Sequence, residues 1–229
     1  MRLADKRAQR GHREDPAGRA VPPGGAQGAS GGRPPGDHTE TLFAAAVADF
    51  EAGRHTVAEV RDDITFEDSP APKRLAPYAA AMAAIAYRDG TEAGTARLIL
   101  LFDPDGQQGW TGTFRLVAQV HAEVEPEMAA DPLLGEVGWS WLTEALELHA
   151  PGYTAPSGTV TRVITEGFGA KEDEPHATGF ELRASWCPGD ADDLGGDVAA
   201  WCELIAAAAG LPAQPPGTQA LRPGGRRHR

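Results

Sequence analysis

The chain has no asparagine, only two cysteines, and three lysines against 18 arginines in 229 residues. Two cysteines, Cys187 and Cys202, cannot make a disulfide framework in a domain of this size. They do not stand in Cys-x-x-Cys spacing, so buried free thiols are expected. Long apolar runs are missing as well. No stretch approaches the roughly 18 consecutive apolar residues of a membrane-crossing helix, and the N-terminus lacks the apolar core of a signal peptide. A cytoplasmic protein with no membrane association is the expectation. The missing asparagine and the arginine excess resemble the codon bias of a GC-rich genome. Met82 is the first methionine after Met1, so a non-AUG start inside the N-terminal segment is suspected.

Aromatic residues are absent from residues 1–36, which hold 8 Gly and 5 Pro. Such a segment cannot bury enough apolar surface to offset its ordering entropy, and the tail 213–229 has the same character. Both are expected to be disordered arms around one globular domain, residues 37–212, large enough to build its own core. Charge divides the same way. The arm carries seven Arg/Lys against three Asp/Glu, and the tail four Arg and no acid. Removing these from totals of 21 basic and 33 acidic residues leaves ten against thirty, a net charge of −20 on the domain. A surface that negative repels phosphate backbones, which argues against nucleic-acid binding by the folded part.

The best-defined stretch runs from Gly109 to Ala150. Phe114, Leu116, Ala118, Val120, Ala122 and Val124 alternate with Arg115, Gln119, His121, Glu123 and Glu125, the pattern of a strand with one face on a core and one in water. Asp131 is the expected N-cap of a helix with Pro132 at its first position and an apolar face of Leu134, Trp141, Ala145 and Leu148. Upstream, Thr39 caps a helix that Gly53 closes, followed by an edge strand within Thr56–Glu67. Tyr78–Tyr87 is alanine-rich, which favours helix. However, Asp89-Gly90 and a second apolar run, Thr95–Phe102, signal a hairpin, so strand is preferred with helix as the alternative. Two further strands and a last helix capped by Asp192 or Asp193 complete the order α-β(3-4)-α-β-β-α. This is an α+β fold with an antiparallel sheet of about five to six strands and three helices packed on it.

Chemistry-bearing motifs are scarce. There is no P-loop, no His-Glu-x-x-His, no Gly-x-Ser-x-Gly and no dinucleotide fingerprint, and no cofactor is implied. Asp103-Pro104-Asp105-Gly106 starts like a calcium loop but lacks the later ligands, so a tight turn is expected. Two surfaces remain. His121, Glu123 and Glu125, with Arg115, project from one strand face, either as a solvated polar face or as a ligand or acid–base site. Trp139 lies about 200° around the helix from Trp141, so Trp139, Leu142 and Leu146 form either a second packing layer or an exposed patch for a protein partner.

The segments HTETLFAAAVADF, RLAPYAAAM, GTFRLVAQV, EPEMAADPLLGEVGWSWL, GTVTRV, ELRASW and AAWCELIAAAAGLP resemble an actinobacterial family known as a domain of unknown function, number 3000. That resemblance implies no activity, ligand or catalytic residue. The element order is also similar to the secretion-chaperone-like fold, whose members are small acidic proteins, often dimeric, that bind client segments; the strand expected at Thr56–Glu67 departs from that order. The expectation is therefore a non-enzymatic cytoplasmic adaptor or chaperone-like protein with a protein partner, a homodimer being one form of it. A small-molecule-binding protein or enzyme using Arg115, His121, Glu123 and Glu125 is the alternative.

Overall fold

Alternation from Phe114 onward, interrupted only at Val117, makes a strand, β4 (Phe114–Glu123), in the computed structural model. The structure describes residues 35–173, 177–191 and 193–213. The chain divides into Met1–Arg33 and Pro34–Arg229, and every described element belongs to the second unit. The arms expected over 1–36 and 213–229 thus lie outside the described residues, apart from residues 35, 36 and 213. Leu116, Ala118, Val120 and Ala122 are all buried on β4.

Around β4 stands a six-stranded, fully antiparallel sheet in the order β1-β2-β3-β4-β6-β5. Its other strands are β1 (Ile64–Asp68), β2 (Tyr78–Arg88), β3 (Thr91–Phe102), β5 (Thr154–Thr165) and β6 (Ala177–Cys187). The alanine-rich stretch is a strand because the turn decides it. Asp89 and Gly90 both take positive φ, 54° and 78°, the geometry that closes a two-residue hairpin between β2 and β3. Helix propensity, worth tenths of a kcal/mol per residue, yields to that pairing.

Among the described residues four α-helices, α1 (Pro35–Val60), α2 (Pro126–Ala130), α3 (Leu134–His149) and α4 (Gly195–Ala208), and a 3-10 turn at Gly169–Lys171 complete the domain. Leu116, Leu182, Trp186 and their neighbours form one core with Phe50 of α1, Leu142 of α3 and Trp201 of α4. Helix α4 touches α1, α3, β3 and β4 and is apolar nearly all round, as a helix enclosed on every side must be.

Three expected boundaries are corrected. Helix α1 does not stop at Gly53 but continues to Val60, so the edge strand shrinks to Ile64–Asp68. Gly53 serves a helix crossing instead: a Cβ there would sit 2.8 Å from Gly195 Cα of α4. Helix α3 starts at Leu134 rather than at Pro132, because the short helix α2 precedes it and Asp131 Oδ1 accepts the Leu133 N–H at 2.8 Å in the turn between them. Asp193 does not cap α4. The Leu194 and Gly195 N–H groups donate to Asp49 Oδ2 of α1, so one helix supplies the other's cap. Asp192, the other expected cap, lies outside the described residues.

Candidate functional site

Helices cover one face of the sheet. Toward the opposite face β4 sends Arg115, Val117, Gln119, His121 and Glu123, and strand pairing lines them up in rows. Ile99, Val117, Ser185 and Ser157 make one row; Arg97, Gln119, Arg183 and Thr159 the next; Thr95, His121, Glu181 and Thr161 a third.

The end of this face beside the 103–113 and 69–77 connections is closed. Arg97 donates to the Pro70 carbonyl, Gln107 Nε2 to the Leu75 carbonyl at 2.9 Å, and the Thr111 N–H to Cys187 Sγ at 3.1 Å. Ile99, Leu101 and Cys187 are buried there. Arg115 belongs to this end, which corrects its expected place on an open polar face beside His121: it is 8% exposed. Its guanidinium donates to the carbonyls of Gly109 (3.5 Å), Ala155 (3.2 Å) and Ser185 (3.4 Å). It also donates to Ser157 Oγ (3.1 Å), Ser185 Oγ (2.8 Å) and Cys187 Sγ (3.4 Å). Six residues along a strand, about 20 Å, separate it from His121. The other cysteine, Cys202, is buried in α4, where desolvation pushes its thiol up, away from the reactive thiolate.

At the open end His121, Glu123 and Glu125 do come together. All three are exposed and share a groove of about 570 Å³ with Arg88, Val163, Thr165 and Thr178. His121 Nδ1 lies 3.8 Å from Glu181 Oε1, and Arg183 lies 3.7 Å from Glu181 Oε2. Among the described residues no three His, Cys, Asp or Glu side chains gather as metal ligands. The groove is walled by exposed strand side chains, so charges in it are screened by water.

Of the two alternatives for Trp139, Leu142 and Leu146, the exposed patch is corrected in favour of packing inside the domain. Leu142 and Leu146 are fully buried in the main core, because they face the sheet together with Gly138, where a Cβ would lie 2.4 Å from the Phe180 ring. Trp139 is half-buried against β5: a Cβ on Gly158 would meet its ring at 2.8 Å. Trp141 packs on Phe180, 5.6 Å between ring centroids. The outward apolar residues of the α3 region are Leu133, Val137 and Leu148 instead; Leu148, expected in the core, is 66% exposed.

Sequence reasoning missed the edge of the sheet at β5. The opposite edge, β1, is short and ends in Glu67 and Asp68, a guarded edge. Strand β5 is twelve residues long, is exposed over most of its length and carries a single charge, Arg162. A bulge spans Thr154 to Ser157, but Ser157–Thr165 pairs with β6 in unbroken register. Arg162 Nη1 reaches the carbonyls of Ala129 (3.5 Å), Ala130 (3.3 Å) and Asp131 (2.8 Å), tying β5 to the end of α2. Between strand and helix lies a groove of about 670 Å³ lined by Ala129, Ala130, Val160, Thr161, Arg162 and Ile164. Met128, Leu133 and Ile164, at or beside this corner in the sequence, are all exposed. The sequence did carry one signal: TVTRVIT is β-branched with one charge, unlike an edge protected by acids or lysines.

Among the described residues no helix is long and apolar enough to cross a membrane. No curated protein and no solved structure matches the chain. Residues 39–218 match a family model described as "Protein of unknown function (DUF3000)". That match spans most of the chain, and the protein belongs to this family.

Proposed function

We propose that the protein is a non-enzymatic cytoplasmic adaptor that takes an extended segment of a protein partner along β5. The observation that carries the reading is the pairing of an open twelve-residue edge with a groove of about 670 Å³ beside α2. An edge strand offers its free N–H and C=O groups to an added strand, and a flanking groove takes alternate side chains of that strand. Ile164 and Val160 supply apolar contact, and Trp139 backs the strand through Gly158. The formal charge of −20 on residues 37–212, read from the sequence, favours a neutral or basic segment over an acidic one. The element order stands one strand and one short helix, α2, apart from the secretion-chaperone-like fold, which lends support by analogy alone.

The alternative, a small molecule or reaction on the His121–Glu123–Glu125 groove, has volume in its favour but a solvent-exposed setting against it. Ile164→Lys decides between them, since a lysine beside a free edge is how natural sheets repel added strands. A stoichiometric protein partner captured from the host by the native chain and lost with Ile164→Lys supports the adaptor reading. A partner held equally by both chains contradicts it.

A further inference from the structure

Arg115 is a buried cation with no carboxylate within ion-pair distance among the described residues. Buried charges are normally paired, because desolvation of an isolated ion costs several kcal/mol. Here the guanidinium is held by neutral groups only: three carbonyls, two hydroxyls and a thiol. One of those carbonyls belongs to Ala155, which sits at φ 49°, a left-handed conformation that a non-glycine residue before a proline adopts at a cost. The β5 bulge thus turns a strained backbone toward Arg115.

The polarity of these bonds determines what the cluster can accept. Arg115 has only donors, so Ser157 and Ser185 receive its N–H groups on their oxygens. The two hydroxyls stand 3.2 Å apart, and one bond between them uses one of their two hydrogens. At least one hydroxyl hydrogen is left to donate, polarised by the guanidinium behind it. Both serines line a shallow groove of about 350 Å³ together with Thr159 and Arg183. In the rows of β3, β4, β6 and β5 from Arg115 to His121, three arginines, Arg115, Arg183 and Arg97, stand against one acid, Glu181, which pairs with Arg183 at 3.7 Å. At physiological salt the screening length is about 8 Å, so this cationic island is felt ahead of the acidic charge elsewhere on the domain.

We propose that the groove over Ser157 and Ser185 binds an oxyanion, the carboxylate or phosphate of a small molecule, with the serine hydroxyls and Arg183 as donors and Arg115 as the buried countercharge. The site is independent of the β5 edge reading, since it lies on the sheet face rather than along the strand's free side.

The test is an amide NMR titration of the full chain with inorganic phosphate and, separately, with acetate, against sodium chloride at matched ionic strength. The expected result is saturable shifts at Ser157, Thr159, Arg183 and Ser185 with phosphate, acetate or both, the arm that saturates naming the class. A Ser157→Ala/Ser185→Ala variant, whose spectrum elsewhere reports an intact fold, should bind about tenfold more weakly, as expected for losing hydrogen bonds to a charged group. Shifts that track ionic strength alike in all three salts overturn the proposal, as does undiminished saturation in the double variant.

Discussion

Asp197 should make this protein less stable as pH rises from about 4 to about 7. It lies in the first turn of α4, 1% exposed, and its Oδ1 accepts the Trp186 Nε1–H at 2.6 Å. Burial raises its pKa from 3.8 to about 7; the Trp186 bond opposes that rise, and Asp193 and Asp49 add to it. A carboxyl group with a raised folded pKa holds its proton in the folded state while the unfolded chain has already released it. Stability therefore falls across that window and levels off above it. A gap of about three units corresponds to a ceiling of roughly 4 kcal/mol. The N-terminal helix dipole favours the ionised form by about 0.3–2 kcal/mol, so about 2–4 kcal/mol is the working range. Asp197→Asn keeps an oxygen for Trp186 and removes the charge. Urea denaturation at pH 5, 6, 7 and 8 should show the variant gaining on the native protein as pH rises, by about 2–4 kcal/mol at pH 8. A pH-independent difference between the two proteins, or a variant that is less stable at pH 8, would refute the reasoning.

Gly158→Ala should cost about 1–3 kcal/mol and alter tryptophan fluorescence, because the new Cβ would sit 2.5 Å from the Arg183 carbonyl and 2.8 Å from Trp139. Ala155→Gly should stabilise the fold by about 1 kcal/mol in chemical denaturation by relieving the positive φ. Leu142→Ala should cost about 2–5 kcal/mol, whereas Leu148→Ala should stay within about 0.5 kcal/mol of the native protein. Equal losses at these two leucines would return the outward face of α3 to Leu142 and Leu146.

What the sequence made legible was local. Period-two alternation in β4 and the Asp89-Gly90 hairpin depend on neighbouring residues alone, so strand content and antiparallel order could be read from them. What escaped was set by partners distant in sequence. Gly53 reads as a helix stop until Gly195 is seen packed against it. Asp49 gave no signal in the sequence, and its role as a cap is set by the Leu194 and Gly195 N–H groups that point at it. Arg115 has the alternation of an exposed residue, and only the loops that fold over that end of the sheet bury it. Helical spacing put Trp139 and Trp141 on different sides of the helix, yet both pack against the same core, Trp139 beside Gly158 and Trp141 on Phe180, because Gly138 lets the helix approach the Phe180 ring. The free edge at β5 follows from strand order, which alternation does not reveal.

The adaptor reading is tested most directly by site-resolved photocrosslinking in host cells, with a photoreactive residue placed in turn at Thr161, Ile164, Glu59 and Glu144, all exposed. The account predicts a discrete protein adduct from Thr161 and Ile164 on β5 and none from Glu59 on α1 or Glu144 on α3; a second copy of the chain as the adduct would identify a homodimer through this edge. Adducts from the helical positions with none from β5 would contradict it.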